Sequence, residues 1–575
     1  MCIQKIIFSD GEYPSLYFRG GTQREDGILI ENGERLSFDT YFNSFDYVKY
    51  NKYTRLDGIT FRGKILGKGH VKLCVIGSCP ETTVAEVYST GDFCVSVQFA
   101  SLPEGAFLYP VIEAEGNAVF LFGEYSSEVE GEQISAAIAI CTYKREEYLF
   151  RNLSILSGIS SDSLNRIYVV DNGNTIDSSS ITDSKVTIVK NPNYGGSAGF
   201  TRGIMEAHKA GCSHVILMDD DIVIFPEAIE RMLRFLSVLK KEYMNAHLSA
   251  AMLRASAIYI QHEKGALWNG SHIESLNSGM DIRCVESLIN NLNDGPIMYG
   301  AWWCFCLPLS DVDEFGLPLP LFIKFDDVEY GMRTCKNAPI ITMSGMAVSH
   351  ADFDGKYNMH LEYYSVRNQL ITLAVHNKMN TLGCIFRLLK VSLKHLFLYR
   401  YDAMPIILRA FRDFLSGPEF IKSVDAEKLN YELMAMTPKA VDLSTVEGWK
   451  EEYKTLRVEK SSNKIKEVGR ILLLGGHLIP NLFHKKEVAY MPLPSAKNKD
   501  TFLHRATVQY QILGNQGYVF KKSSPRFFAS IFRCLKMTIK ILFKYRSAAC
   551  RYREEKVTLT SLDFWEQYLN IAEEK

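Results

Sequence analysis

Between residues 131 and 375, short apolar segments alternate with stretches of helical periodicity, and this alternation limits the possible folds more than any other feature. The apolar segments are AAIAICTY, RIYVVDNG, KVTIVKN and HVILMDDD. Helical stretches begin near Glu146 and near Gly199. Strand–helix alternation predicts a largely parallel α/β sheet, in which ligands bind beyond the carboxyl ends of the strands.

The regions on either side of this segment have different patterns. From residue 1 to about 130, β-rich runs such as HVKLCVIG and FCVSVQFA are separated by Gly, Pro, Asn and Asp, which predicts an antiparallel β-sandwich. From about 376 to 575 the pattern is mainly helical, as in LGCIFRLLKVSLKHLFLYRY. We therefore predict three domains: a sandwich over 1–130, an α/β domain over 131–375 and a helical region over 376–575.

Bulk composition excludes several classes of function. The net charge is -1, so the whole chain has no long-range preference for nucleic acids or acidic partners. The 13 cysteines include no CxxC pair and many lie in apolar runs, which indicates reduced, buried thiols. The N-terminus lacks the pattern of a signal peptide, and no window of about 18 uncharged apolar residues occurs. We expect a cytoplasmic protein without a membrane-spanning helix.

The segment VILMDDDIVIFP runs an apolar strand into three consecutive acids, Asp219, Asp220 and Asp221. Because side chains alternate along a strand, Asp219 and Asp221 would converge on one side while Asp220 points elsewhere. Hard carboxylate oxygens in this arrangement suit Mg²⁺ or Mn²⁺, which also binds the oxygens of a diphosphate. A solvated turn between two buried elements explains the triplet equally well, so the triplet alone does not identify a metal site.

Other polar residues fall at the ends of neighbouring predicted strands. Thr142 ends the first strand of the α/β region, and Asp171 ends the next. Arg145 follows in CTYKRE, where it could bind a phosphate, stack on a base or simply be a surface arginine. The glycine-rich segment NPNYGGSAGFTRG opens a helix and could approach a phosphate, although such loops are also routine connections. The shared position at strand ends favours a common ligand site.

Two segments later in the chain supply further candidates. Trp302 and Trp303 are adjacent, so on a strand one could line a sugar site while the other packs in the core, or both could be core residues. PLPLFIKFDDVEYGMR ends an apolar run in Asp326 and Asp327, and a carboxylate there could accept a proton from an attacking hydroxyl. His350 follows a β-like segment and is either a structural histidine or a third metal ligand.

Taken together, these motifs resemble the bacterial galactofuranosyltransferases, inverting enzymes with a GT-A fold, and among them the mycobacterial enzymes that polymerise galactan. The resemblance spans roughly residues 136 to 370. The matching pieces, in the order of the family, are CTYKR, VVDNG, NYGGSAGFTRG, LMDDDI, GAWW, LPLFIKFDDVEYG and His350. It implies a GT-A domain for 131–375 and a possible acceptor-binding role for the sandwich. Phe325 stands where tryptophan is usual, which leaves the identity of the acceptor open.

The resemblance also implies a role for each matched residue. Mn²⁺ or Mg²⁺, and through it the diphosphate of UDP-galactofuranose, would be bound by Asp219, Asp221 and His350. Asp327 would be the general base that deprotonates the acceptor hydroxyl. The remaining positions would hold the nucleotide sugar: Thr142, Arg145 and Asp171 at the uridine end, Trp302 and Trp303 around the sugar, with Asp220 and Asp326 beside them.

The C-terminal region carries a basic segment with a helical apolar pattern. From Lys521 to Arg553 there are ten Lys or Arg and no Asp or Glu. Within this segment Phe528, Ile531, Phe532, Leu535, Ile539 and Leu542 share one helical face, and Arg533, Lys536, Lys540 and Lys544 share the other. The pattern is typical of an interfacial helix at an anionic membrane, and the alternative is a helix packed on the domain with a solvated basic face. No nucleic-acid motif accompanies the charge.

The sequence therefore predicts a metal-dependent, inverting transferase that moves galactofuranose from UDP-galactofuranose to a lipid-linked cell-surface glycan at the inner face of the membrane. Two alternatives remain open. One is a transferase of the same fold that uses another nucleotide sugar, and the other is an inactive carbohydrate-binding scaffold. The acceptor, the linkage, the number of sugars added and a homo-oligomeric state are also left open.

Overall fold

The structure is a computed structural model that describes residues 1–9, 11–293, 295–336, 338–352, 358–454 and 464–571. The chain divides into two compact units. The first comprises Met1–Pro318 and Asp327–Ala351, and the second comprises Leu319–Asp326 and Asp352–Lys575. The predicted fold class is confirmed, because the first unit holds a β-sandwich and an α/β region and the second is mainly helical.

The N-terminal part of the first unit is formed by two antiparallel sheets. Its elements are β1 (Cys2–Lys5), β2 (Thr22–Arg24), β3 (Gly27–Ile30), β4 (Arg35–Ser37), α1 (Tyr47–Tyr53), β5 (Gly58–Leu66), β6 (Gly69–Gly77), β7 (Thr82–Ser89), β8 (Asp92–Gln98), β9 (Ala106–Ala114) and β10 (Ala118–Ser126). One sheet has the order β2-β3-β10-β5-β8, with β1 also paired to β10, and the other has the order β4-β9-β6-β7. Alternate residues are buried, as in β8, so one face of each long strand packs into the core.

The α/β part of the first unit is built around a seven-stranded sheet. Its elements are β11 (Ala136–Thr142), α2 (Glu146–Ser157), β12 (Leu164–Asp171), β13 (Val186–Lys190), α3 (Gly195–Lys209), β14 (His214–Asp219), β15 (Ile222–Ile224), α4 (Pro226–Ser237), β16 (His247–Ser249), β17 (Ala251–Arg254), β18 (Ala257–Glu263), β19 (Ala266–Trp268), β20 (Ile273–Ser275), β21 (Met280–Asp281), α5 (Val285–Leu292), β22 (Cys304–Pro308), α6 (Ser310–Phe315), α7 (Asp326–Thr334), β23 (Ile340–Ile341) and β24 (Ala347–His350). The strand order is β13-β12-β11-β14-β22-β16-β23, and β11 to β14 are parallel.

This strand order creates a topological switch point. The chain places β12 and β13 on one side of β11 and then adds β14 on the other side. The crevice outside the carboxyl ends of β11 and β14 is the place where open α/β sheets bind ligands. Thr142 ends β11 and Asp219 ends β14, so both residues lie at this edge.

A second sheet, of order β15-β24-β17-β18-β21, brings a distant part of the chain to the same edge. The short strand β15 follows directly after the three acids and pairs antiparallel with β24. In this pairing Ile222 is opposite His350. The pairing therefore fixes His350 beside the residue that follows the acidic triplet.

The second unit is mainly helical. Its elements are α8 (Leu361–Val375), α9 (Thr381–Phe397), α10 (Ala403–Leu415), α11 (Pro418–Ser423), α12 (Ala426–Ala435), β25 (Val441–Asp442), α13 (Lys464–Leu472), β26 (Ala489–Pro492), α14 (Asn498–Thr501), β27 (Ala506–Tyr510), β28 (Gln516–Lys521), α15 (Ser524–Leu559) and α16 (Leu562–Tyr568). The long helix α15 packs on α8, α9 and α10. A four-stranded sheet of order β25-β28-β27-β26 is an element that the sequence did not predict. None of the helices in the described ranges is long and apolar enough to span a membrane.

Glycines in the segment NPNYGGSAGFTRG allow α3 to lie close to the central sheet. A Cβ atom on Gly199 would be 2.2 Å from the Cys141 Sγ, and one on Gly203 would be 2.5 Å from the Ala139 Cβ. Both contacts are with β11 and are shorter than van der Waals contact allows. These two glycines therefore allow close packing of α3 on β11.

We predict that Gly199→Ala lowers the free energy of unfolding of the first unit by about 1–3 kcal/mol, because the added methyl overpacks the interface with β11. Gly196→Ala in the same helix is the matched control. A Cβ there would meet only the Phe200 ring, at 4.0 Å, so we expect no loss of stability. Urea unfolding of both variants tests this, and equal midpoints would contradict the packing role of Gly199.

Candidate functional site

Three potential metal ligands converge at the carboxyl edge of β14. Oxygen atoms of Asp219 and Asp221 and a ring nitrogen of His350 all lie within 4.8 Å of one another. The Asp221 Oδ1 is 3.2 Å from the His350 Nε2. The His350 Nδ1 is 2.6 Å from the Ala351 carbonyl oxygen, and donation from Nδ1 leaves Nε2 directed at the carboxylates. No other set of three or more such side chains is found in the ranges that the structure describes.

Asp220 points away from these ligands, as the alternation of side chains requires. Its Oδ2 accepts a hydrogen bond of 2.7 Å from the Thr142 hydroxyl, and its Oδ1 accepts one of 3.1 Å from the Arg145 Nη1. Its carbonyl oxygen accepts a hydrogen bond of 2.8 Å from the Asn152 side chain. Asp220 therefore joins the ends of β11 and β14 to α2, a structural role.

Arg145 connects two members of the acidic triplet. Its Nη1 is 3.1 Å from the Asp220 Oδ1 and 2.7 Å from the Asp221 Oδ2. About half of its side chain remains exposed, so the guanidinium can also reach an anionic ligand at the mouth of the site. Arg145 thus both reduces the repulsion between the acids and supplies positive charge beside them.

The three acids have different electrostatic environments. Burial raises the pKa of Asp219 to about 7, against the opposing effect of the nearby His350. Burial also favours the neutral form of Asp221, but the hydrogen bond and charge of His350, with the charge of Arg145, outweigh it and lower the pKa of Asp221. In return, Asp221 raises the pKa of His350 despite the burial of the ring. The site can therefore hold protons that a bound cation would displace.

The donor atoms of this trio fit a divalent cation. Two carboxylate oxygens and one imidazole nitrogen suit Mn²⁺ and tolerate Mg²⁺, and three protein ligands leave coordination positions for phosphate oxygens. Two of the three ligands are acids, so their charge balances a dication. Asp219, Asp221 and His350 would hold the metal.

Asp171 is almost completely buried, and its carboxylate accepts hydrogen bonds from backbone amides of the loop that follows it. Its Oδ1 accepts a hydrogen bond of 2.9 Å from the Gly173 amide. Its Oδ2 accepts bonds of 2.8 and 2.9 Å from the amides of Thr175 and Ile176. Asp171 is paired in register with Thr142 on β11, so the loop that it orders borders the same edge of the sheet. The structure thus gives Asp171 a positioning role for the loop.

The two tryptophans have different surroundings, although both are largely buried. Trp303 belongs to the main hydrophobic cluster, and its Nε1 donates a hydrogen bond of 3.2 Å to the Ala250 carbonyl. Trp302 packs edge-to-face between Phe200 of α3 and Tyr330 of α7, with ring centroids 5.4 and 6.1 Å away. The Trp303 carbonyl accepts from the Asp219 amide at 3.2 Å, which ties this segment to the metal ligands.

Asp326 and Asp327 begin helix α7. Asp326 is buried, whereas Asp327 is partly exposed, so only Asp327 has appreciable access to solvent. The preceding segment has three non-glycine residues with positive φ, namely Phe322 at 72°, Lys324 at 66° and Phe325 at 69°. Such conformations cost about 1–3 kcal/mol each and persist only where other contacts enforce them.

Tyr299, which lies near Asp327, and Glu263, which lies near Tyr299, had not been predicted from the sequence. Tyr299 is buried, and its pKa is raised first by burial and then by the charges of Asp327 and Glu263. Glu263 is 4% exposed, its pKa is raised by burial, and it accepts a hydrogen bond from the Ser275 hydroxyl. A Cβ on Gly331 would be 2.5 Å from the Tyr299 Cβ, so α7 packs directly against Tyr299. A single acid in QHEKG gives no sequence signal for this placement.

Comparison with known proteins finds two family models and two relatives that are similar to this chain. Residues 137–244 match the family model "Glycosyl transferase family 2", and residues 384–571 match "Galactofuranosyltransferase-2, domain 3". The galactofuranosyltransferase GlfT2 of Mycolicibacterium smegmatis is 24% identical over 578 residues, covering 93% of this chain and 88% of that protein. GlfT2 of Mycobacterium tuberculosis is 27% identical over 440 residues, covering 69% of this chain and 68% of that protein.

The chain is similar to galactofuranosyltransferases along most of its length.

It is a glycosyltransferase with a GT-A fold, as predicted. Two solved structures show weaker likeness. Mannosyltransferase PcManGT from Pyrobaculum calidifontis, in complex with GDP-Man and Mn²⁺, has a TM-score of 0.30 and 11% identity over 54% of this chain and 83% of that one. S. aureus TarS 1–349 with UDP-GlcNAc has a TM-score of 0.31 and 12% identity over 52% and 89%. The assignment rests on the family matches and the strand order.

We predict that the affinity of this glycosyltransferase for Mn²⁺ falls at least tenfold between pH 8 and pH 6, because the pKa of His350 is also raised and its proton adds to the competition from Asp219. Asp219 has a pKa of about 7, so below this pH a proton competes with the cation for its carboxylate. Calorimetric titration with Mn²⁺ at both pH values measures the change. In Asp219→Asn the competing proton is absent, and we expect weaker binding with a shallower pH dependence. An equal slope in both proteins would contradict the role of Asp219.

Proposed function

We propose that the chain is a metal-dependent, inverting transferase that moves galactofuranose from UDP-galactofuranose to a lipid-linked cell-surface glycan. The observation that carries this proposal is the convergence of Asp219, Asp221 and His350 at the switch point of the sheet. A cation bound there would stabilise the negative charge that develops on a departing diphosphate. The names of the relatives support the choice of galactofuranose as the sugar.

Different residues of the chain would bind the phosphates, the uridine and the sugar of the donor. Arg145 lies beside the metal ligands and supplies positive charge for the phosphates. The Asp171 loop and the end of β11 at Thr142 border the same edge and form the side that takes the uridine. Trp302 packs between Phe200 of α3 and Tyr330 of α7 and would offer an aromatic surface to the sugar. Trp303 supports this segment from the core.

Asp327 is the proposed general base. It is partly exposed at the first turn of α7, and its carboxylate would accept the proton of the acceptor hydroxyl. The hydroxyl oxygen then forms a bond to the anomeric carbon as the bond from that carbon to the diphosphate oxygen breaks, and UDP leaves. One displacement inverts the anomeric configuration, and no covalent intermediate on the protein is required.

A transferase for another nucleotide sugar is the second candidate. The metal ligands, Arg145 and Asp327 would serve any UDP-sugar. A panel of donors separates the two candidates: turnover of UDP-galactopyranose without turnover of the furanose form would overturn the proposed substrate. An inactive binding scaffold would give no turnover with any donor, whereas the complete ligand trio favours catalysis.

We predict that Asp327→Ala reduces transfer at least 10³-fold, the upper range for loss of a general base, while UDP binding in the presence of Mn²⁺ stays within twofold of wild type. Radiolabelled sugar transfer and calorimetry measure the two quantities. Asp313→Asn is the matched control, because it also changes an acid in the first turn of a helix, one that is exposed and pairs with His208. Full transfer in Asp327→Ala would remove Asp327 as the base.

We also propose that the second unit associates with the inner face of an anionic membrane. Helix α15 packs on the other helices through Phe527, Cys534, Met537, Ile541 and Tyr545. Its outward side combines the basic residues with large exposed apolar side chains, namely Phe528, Phe532, Leu535, Ile539, Leu542 and Phe543. The helix therefore packs on the unit and still presents an apolar, basic surface.

Other elements of the second unit strengthen this proposal. Helix α9, which packs on α15, exposes Leu382 and Phe386, whose side chains are 72% and 69% accessible. Leu482 and Phe483 are 81% and 68% accessible. Exposed apolar residues in this number are unusual for a surface that contacts only water. Basic residues among them would attract anionic headgroups while the apolar side chains enter the acyl boundary.

We predict that a triple change, Phe532→Ser, Ile539→Ser and Phe543→Ser, weakens binding to anionic liposomes at least tenfold, since about 0.8 kcal/mol per CH₂ of inserted side chain is lost. Deletion of the helix would be a poor test, because its other face is buried in the unit. Val557→Ser, which alters an exposed residue of the same helix outside the basic segment, is the control. Cosedimentation that is unchanged in the triple variant would contradict membrane insertion.

A further inference from the structure

The segment Leu321–Phe325, which leads into Asp326 and Asp327, is held in an unfavourable backbone conformation by helix α8. Phe322, Lys324 and Phe325 all have positive φ, and none is glycine. Ile323 and Lys324 are exposed, so burial of these two side chains does not fix the conformation. Residues of helix α8 in the second unit make hydrogen bonds that enforce it.

Asn368 supplies most of these contacts. This residue is fully buried in α8. Its Nδ2 donates hydrogen bonds to the carbonyl oxygens of Leu321, Ile323 and Lys324, at 3.0, 2.9 and 2.8 Å. An amide nitrogen has only two protons, so these bonds use its full donor capacity on one short segment.

Arg367 and Tyr364 complete the arrangement. The Arg367 Nε donates a hydrogen bond of 2.9 Å to the Asn368 Oδ1, which fixes the direction of the amide. The Arg367 Nη2 donates a second bond of 2.8 Å to the Leu321 carbonyl. The Tyr364 ring stacks on the Phe322 ring at 5.0 Å between centroids. Three side chains of one helix thus act on the same stretch of backbone.

We propose that Asn368 and Arg367 are positioning residues for the general base. They set the path of Leu321–Phe325, and Asp327 lies two residues beyond Phe325, in the first turn of α7. The direction of the base toward the acceptor hydroxyl therefore depends on a hydrogen-bond network that touches neither substrate nor metal ligand. This inference rests on the proposed role of Asp327 as the base.

Asn368→Asp tests the inference, because it keeps the shape of the side chain but replaces the donor nitrogen with an oxygen that repels the three carbonyls. We expect kcat for transfer to fall about 30- to 100-fold, the effect of displacing a catalytic group by about 1 Å. The KM for the donor and the Kd for UDP with Mn²⁺ should stay within twofold, because the metal ligands are untouched.

Tyr545→Phe is the matched control. It removes another hydrogen bond of the second unit, from the Tyr545 hydroxyl of α15 to the Met379 carbonyl oxygen at 2.7 Å, and leaves Arg367 and Asn368 unchanged. Its kcat should remain within twofold of wild type. An equal fall of kcat in both variants, or a rise of the UDP Kd that parallels the loss of kcat, would show general damage to the fold and overturn the inference.

Two further variants keep the outcome unambiguous. Arg367→Lys loses the bond that orients Asn368, and we expect its kcat to fall about 3- to 10-fold. A wild-type kcat in this variant would overturn the inference. This test remains available if Asn368→Asp does not fold. Asp327→Ala is assayed in parallel. If Asp327→Ala is active, the proposed base is wrong and the positioning role falls with it. If Asp327→Ala is inactive and a folded Asn368→Asp keeps wild-type kcat, only the positioning role is wrong.

Discussion

The rest of the site depends on how the protein accommodates three adjacent carboxylates at the end of β14. Asp219, Asp220 and Asp221 would repel one another in any fold that left them without partners. Here Asp220 accepts hydrogen bonds from Thr142 and Arg145, while Asp221 lies between Arg145 and His350. Burial nevertheless raises the pKa of Asp220 and raises that of Asp219 to about 7. A divalent cation would stabilise the ionised form of these acids, so the electrostatics and the donor chemistry favour the same occupant.

The sheet topology explains why this edge can be a catalytic site. The switch point between β11 and β14 opens a crevice at the carboxyl ends of the strands, and the polar strand ends in the sequence are the residues that border it. The repeated pattern of an apolar strand followed by an acid therefore predicted the fold class and the location of the acids. It did not predict the pairing of β15 with β24, which depends on contacts between residues far apart in the chain. His350 could be proposed as a ligand only from the family resemblance and the need for a third donor.

Sequence patterns did not predict several side-chain contacts and backbone angles around the site. Asp171 and Asp220 each make hydrogen bonds that hold the edge of the sheet in place, which their position at strand ends does not reveal, and the role of Asp171 at the uridine end stays a prediction. Gly199 and Gly203 allow α3 to contact β11 closely. Tyr299 comes close to Asp327 and to Glu263 only through tertiary packing. The positive φ angles before α7 have no signal in the sequence, because the residues there are bulky and would ordinarily exclude them.

The central claim is that Asp219, Asp221 and His350 hold a cation that the transfer of galactofuranose requires. The most direct test is to measure sugar transfer from UDP-galactofuranose to a lipid-linked galactosyl acceptor by mass spectrometry, with chelator and after addition of Mn²⁺. The account predicts no product in chelator, full recovery with Mn²⁺, and no recovery in His350→Ala at the concentration that restores wild type. Product formation that is unaffected by chelator would contradict a metal role for the acidic triplet.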